Sequence, residues 1–82
     1  MTQIISNLDL YKKQYPMMIL EVNIDNLLLY SILRTQKLTY DFVINFILNS
    51  EYQYTEEEKY IDENIVVRYQ PHLNNLLLNK EL

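Results

Sequence analysis

Apolar positions along this chain recur mostly at intervals of three and four, the period of an amphipathic helix. Ser6-Asn7-Leu8-Asp9 has the spacing of a capping box, and Leu8, Tyr11 and Tyr15 follow on one helical face until Pro16 stops the run. A first helix is expected over residues 7–15. Met17 to Ile24 breaks the pattern: alternation of Met18, Leu20, Val22 and Ile24 suits a short strand, although Pro16 would equally open a helix. The strand is the preferred reading for residues 17–24.

Asp25 or Asn26 then caps a helix reaching about Lys37, with Leu29, Ile32 and Leu33 on one face and Arg34 and Lys37 near its negative C-terminal end. Thr39 caps the next, where Phe42, Val43, Phe46 and Ile47 repeat until Asn49-Ser50. Thr55-Glu56-Glu57-Glu58 is a second capping box, and Ile61, Ile65 and Tyr69 extend it toward Gln70, although residues 64–69 have the composition of a strand. Pro71 interrupts the chain and His72 to Leu78 form a last short helix.

The fold class expected is mainly α, with a small α+β variant open: one compact domain over residues 1–82, of four or five short helices in a single layer and one or two short strands at most. Its core draws on Leu8, Tyr11, Leu29, Ile32, Leu33, Phe42, Val43, Phe46, Ile47, Ile61, Ile65 and Leu76.

Composition sharpens this picture. At 82 residues, 49% of them apolar, with a net charge of −4, the chain folds but has room for only one core. Without cysteine it has neither disulfides nor thiolate metal ligands, so helix packing or homodimerisation supplies the rest of its stability. Glycine is absent where average usage predicts about six, and alanine is absent too. That bias, with abundant Ile, Asn, Tyr and Lys, is the mark of an AT-rich genome such as those of low-GC bacteria and their phages. Without glycine, tight hairpins are disfavoured and helix ends are expected to close on Asn or Ser.

The N-terminus lacks the basic and apolar regions of a secretory signal, and Glu21, Asn23, Asp25 and Asn26 interrupt the most apolar stretch. The expected location is the cytoplasm, that of the host cell if the source is viral.

No catalytic residue, metal ligand or cofactor site is predicted. The single histidine, His72, has no nucleophilic partner, and Ser6, Ser31 and Ser50 lack the flanking glycines of a nucleophile elbow. Phosphate-cradling loops and calcium loops both require glycine.

Charge placement is more informative. Between Glu51 and Glu63 lie six acids against the single base Lys59, whereas the other 69 residues carry five acids and six bases. The candidate partner-binding surface is therefore Glu51, Tyr52, Tyr54, Glu56, Glu57, Glu58, Tyr60, Asp62 and Glu63. Acids attract a basic surface and tyrosines add contact area at small entropic cost. The plainer reading has the acids complementing a helix dipole in water and the tyrosines set by codon bias.

The function this suggests is a small acidic protein-binding module, an inhibitor or adaptor occupying a basic surface, including a nucleic-acid-binding one, of a larger protein. A phage or mobile-element antagonist of a host nucleic-acid machine, as anti-CRISPR proteins are, fits size, charge and genome character. The alternatives are a transcriptional regulator and an immunity or antitoxin-like helical protein. Residues 17–50 resemble the strand-helix-helix order of ribbon-helix-helix repressors, and a helix-turn-helix arrangement is compatible. Neither Met17, Ile19 and Glu21 nor Met18, Leu20 and Val22 reads base edges, however, and the seven basic residues are scattered along the chain, so no direct nucleic-acid contact and no membrane contact are expected.

Overall fold

The computed structural model describes residues 3–78. The protein is a small mainly-α domain. Six short α-helices follow in order: α1 (Asn7–Leu10), α2 (Met17–Val22), α3 (Leu29–Thr35), α4 (Tyr40–Phe42), α5 (Glu63–Tyr69) and α6 (Asn74–Leu77). Turns of 3-10 helix join several of them, and the described residues include no strand.

The Ser6–Asp9 capping box forms, with the Ser6 N–H donating to Asp9 Oδ2 at 2.8 Å. The helix nevertheless ends at Leu10, after one turn. The expected face therefore does not extend to Tyr11. Leu8 and Tyr11, placed in the core by their spacing, are 73% and 59% exposed, while Leu10 and Tyr15 are buried.

Residues 17–22 are helix, which corrects the strand reading. Pro16 adopts the extended N-cap conformation and its carbonyl accepts from the N–H of Ile19 and Leu20. Leu20 and Ile24 are buried while Met18 and Val22 are exposed, so burial repeats at four. A strand would have put all four on one face. The element order on which the ribbon-helix-helix resemblance rested is therefore absent. The strand composition of residues 64–69 is overridden likewise, since they lie within α5.

Asp25 and Asn26 do not cap α3; they lie in a 3-10 turn, and the helix opens at Leu29. Its first amides are answered from far along the chain: Leu28 N–H donates to Asn7 Oδ1 and Leu29 N–H to Glu58 Oε2, each at 2.8 Å. Thr39 caps α4 as expected, accepting from Phe42 N–H at 3.2 Å. That helix widens into a π turn over Val43–Ile47, closed by Leu48 N–H on the Val43 carbonyl at 2.8 Å. The helix expected from Thr55 to Gln70 is broken, because a 3-10 turn at Glu58–Tyr60 gives way to extended Ile61 before Asp62 caps α5. Near the end of the described chain Leu73 and Leu77 are buried, and Leu76, expected in the core, is 61% exposed.

The lack of glycine is met as expected only in α2, which closes on Asn23; α1, α3 and α5 close on Tyr11, Gln36 and Gln70. All four closing residues have negative φ, so none of these ends uses the left-handed region. Buried amides fix the loops instead. Asn23 Oδ1 accepts from Ile5 N–H at 3.0 Å, and its Nδ2 donates to the Gln3 and Ile19 carbonyls at 2.8 and 2.9 Å. Gln36 accepts from Tyr15 N–H at 2.8 Å and donates to the Leu10 and Lys13 carbonyls at 2.9 and 3.0 Å. Gln70 accepts from Leu38 N–H at 2.9 Å and donates to the Leu33 and Gln36 carbonyls at 2.8 and 2.6 Å. Each side chain uses its oxygen and both N–H groups, which makes burying it tolerable. Among the described residues no buried side-chain nitrogen or oxygen lacks a partner.

Candidate functional site: an acidic loop held from within

The acidic segment leaves the π turn at Asn49 and ends at Asp62, and most of it is loop and single 3-10 turns. Such a segment holds one shape only if side chains replace the regular ladder. They do so at both ends. Asn49 Oδ1 accepts from Glu51 N–H at 2.9 Å, and Asp62 Oδ1 accepts from Ile65 N–H at 3.0 Å. Gln53 Nε2 donates to the Ile47 carbonyl at 2.9 Å, and the Tyr52 ring packs 5.1 Å from Phe46, itself 5.1 Å from Phe42.

The central fastening is Glu58. Its residue surface is 3% exposed. Oε1 accepts from Tyr54 and Thr55 N–H at 2.9 and 3.1 Å, while Oε2 accepts from Leu29 N–H at 2.8 Å. Thr55 Oγ1 accepts from Glu58 N–H at 3.1 Å, so the capping box predicted from sequence is present. One carboxylate thus closes its own turn and caps α3, 29 residues earlier in the chain. Tyr54 adds a second tie, its hydroxyl donating to Asp25 Oδ1 at 2.7 Å, and that bond is the main reason its phenol ionises above the ordinary pKa.

The nine residues predicted as partner-binding therefore separate. Glu51, Tyr54, Glu56, Glu57, Tyr60 and Asp62 are exposed, and Tyr52 and Glu63 are half-buried. Glu58 is buried and committed to the backbone, a correction to its place on the acidic surface. Asp62 presents its edge to solvent but is also the cap of α5. Glu56 pairs with Lys59 at 3.6 Å across exposed side chains, a contact worth well under about 1 kcal/mol. The exposed acids free of such ties are Glu51 and Glu57, and Tyr60 is itself 74% exposed.

Sequence reasoning missed the ground next to this loop. Leu28, Tyr30 and Arg34 line a groove of about 520 Å³ together with Thr55, Glu57 and Glu58 of the loop. The Arg34 guanidinium lies 5.8 Å from the Tyr30 ring centre and 5.9 Å from that of Tyr69, and these two rings meet edge to face at 6.4 Å. Hydrogen bonding to Tyr69 first and Tyr11 second raises the Arg34 pKa further above neutrality. The spacing of Tyr30 and Arg34, one helical turn apart, was visible in the sequence; the approach of Tyr11 and Tyr69 was not.

The groups available are carboxylates, phenols and one guanidinium, which suit recognition. Among the described residues no group of three His, Cys, Asp or Glu is placed to hold a metal ion. No helix there is long and apolar enough to cross a membrane. No known family, curated protein or solved structure matches the chain.

Proposed function

We propose that this chain is a small protein-binding module, an inhibitor or adaptor whose acidic loop occupies a basic surface on a larger partner. The observation supporting the reading is Glu58. By tying three backbone amides of two distant segments to one buried carboxylate, it gives an otherwise irregular loop a fixed shape. Glu51, Glu56, Glu57 and Tyr60 then project from a backbone already ordered, which reduces the entropy lost on binding. Carboxylates so held stand in for phosphates in a nucleic-acid-binding cleft, and an antagonist of a nucleic-acid machine from a phage or mobile element is the finer form of the proposal.

The test is capture of partners by the tagged protein from nuclease-treated lysate of cells that carry the gene, beside a variant with Glu51→Lys, Glu56→Lys and Glu57→Lys. These positions are chosen because the structure gives none of them a fold-closing bond, unlike Glu58 and Asp62. One basic protein, retained by the parent, weakened by salt and lost from the variant at unchanged melting temperature, is the expected result. Equal capture by the variant would eliminate the acidic loop as the binding surface.

A further inference from the structure

The bases that look scattered in the sequence are gathered by the fold. Lys12, Lys13 and Arg34 line one groove of about 340 Å³, and Arg34, Lys37 and His72 line a second of about 250 Å³. The two share Gln14, Arg34 and Thr35, so they form one continuous track with Arg34 at its middle. Neither groove is lined by an acid among the described residues.

The carbonyls that would compete for these cations are already engaged. Gln14 donates to the Thr35 carbonyl, Gln36 to those of Leu10 and Lys13, Gln70 to those of Leu33 and Gln36, and His72 Nε2 to that of Leu38. Among the described residues the sole ion pair is Lys59 with Glu56, neither of which lines the track. Acids border the track at two places: the Asp9 carboxyl feels the charge of Lys12, and Arg34 also lines the groove that holds Glu57 and Glu58. Lys13 lies 5.1 Å from the Tyr15 ring centre and Arg34 is hydrogen-bonded to Tyr69 and Tyr11, so the internal partners of these cations are neutral phenols that leave their charge uncancelled, an arrangement that favours a chain of anions.

An exposed aromatic ring narrows the class. Tyr11, next to Lys12 in the first groove, is 59% exposed. A nucleic-acid base stacks on such a ring, whereas a chain of carboxylates or bare phosphates gains nothing from it. We infer that the Lys12–Lys13–Arg34–Lys37 track is a binding site for single-stranded nucleic acid, its cations following the phosphates and Tyr11 stacking a base. This site adjoins the acidic loop at Arg34, which lines the grooves of both, and it goes beyond the protein-binding reading.

The experiment is fluorescence anisotropy of a labelled oligothymidylate with the full chain over a series of salt concentrations. Three or four phosphate contacts predict a slope of log affinity against log salt of about −2 to −3, at about 0.7 per contact for single strands. Lys12→Glu with Lys13→Glu should weaken binding at least tenfold at low salt, and Lys12→Gln with Lys13→Gln should flatten the slope by roughly 1.4. Tyr11→Ala should cost about tenfold, since stacking is worth about 1–3 kcal/mol per base, whereas Tyr11→Phe, which loses the hydroxyl beside Arg34 but keeps the ring, should bind as the parent does. Absence of binding at low salt, indifference to the lysine variants, or equal competition by polyglutamate or inorganic polyphosphate with a silent Tyr11→Ala would each overturn the inference.

Discussion

Replacing Glu58 tests the architecture and the loop together. Its carboxylate accepts three backbone N–H bonds in a site where the residue is 3% exposed. Glu58→Ala leaves the amides of Leu29, Tyr54 and Thr55 without acceptors, and each amide that stays dry costs about 1–3 kcal/mol. Water will reach some of them, because Tyr54 is exposed and Thr55 half-buried, so a total of about 3–5 kcal/mol is expected. A domain of this length has a total stability of about 4–12 kcal/mol, so the Ala variant sits near the edge of folding. Glu58→Gln keeps one oxygen and turns an N–H2 toward backbone donors; it should cost about 2 kcal/mol, or roughly 8–16 °C in Tm. Urea unfolding followed by circular dichroism measures both, with Glu57→Gln as the exposed control, expected to stay within about 0.5 kcal/mol. A Glu58→Gln variant as stable as the control would refute the claim that this carboxylate holds the loop.

The other expectations follow from the same contacts. Leu20→Ala should cost about 2–5 kcal/mol and Met18→Ala almost nothing, since only Leu20 is buried; equal losses in a denaturant melt would restore the strand reading of residues 17–22. Gln36→Ala should cost about 2–4 kcal/mol and speed hydrogen exchange at the Tyr15 amide, which loses its acceptor; unchanged exchange there would contradict the bond. Asp9 has a folded-state pKa below its unfolded value, chiefly through the Ser6 backbone N–H, so the unfolded chain binds more protons as pH falls through about 4. Its contribution is complete above that pH and lost below it, and Asp9→Asn should flatten the acid limb of a stability–pH curve; an unaltered limb would count against the capping box. Tyr54 is shifted the other way, so stability should decline as pH rises past about 10, and Tyr54→Phe should remove that decline.

What was legible in the sequence was whatever is local. The boxes at Ser6–Asp9 and Thr55–Glu58 and the Thr39 cap all form because partner and amide lie within one turn. The face of Leu29, Ile32 and Leu33 is buried as its spacing predicted, and so are Phe42, Val43 and Ile47. Misplaced elements are those whose ends are decided at a distance. Nothing around Leu28 announces that Asn7 and Glu58 will cap α3, and Asp25-Asn26 offered a better local cap than the one used. Helices of three to seven residues also give periodicity little length to act on, which is why Leu8, Tyr11 and Leu76 were misplaced in the core.

At the candidate site the charge run was visible but its inequality was not. Glu56, Glu57 and Glu58 are chemically identical in the sequence, and only Glu58 turns inward. The capping box carried a partial signal, because the third residue after Thr55 is the one whose side chain turns back to the backbone. The basic track carried none, since Lys12-Lys13, Arg34 and His72 are brought together by core packing and by the amide ties of Gln14, Gln36 and Gln70, all between segments distant in the chain.

The protein-binding claim meets its most direct test in the association rate of the captured partner with the parent chain and with the Glu51→Lys, Glu56→Lys, Glu57→Lys variant, at low and physiological salt. Steering by a fixed acidic loop predicts that the variant associates at least about tenfold more slowly at low salt, that the gap narrows as salt is added, and that the melting temperature stays where it was. Equal association rates at both salts would contradict it and leave the acids as a solvated face of the fold.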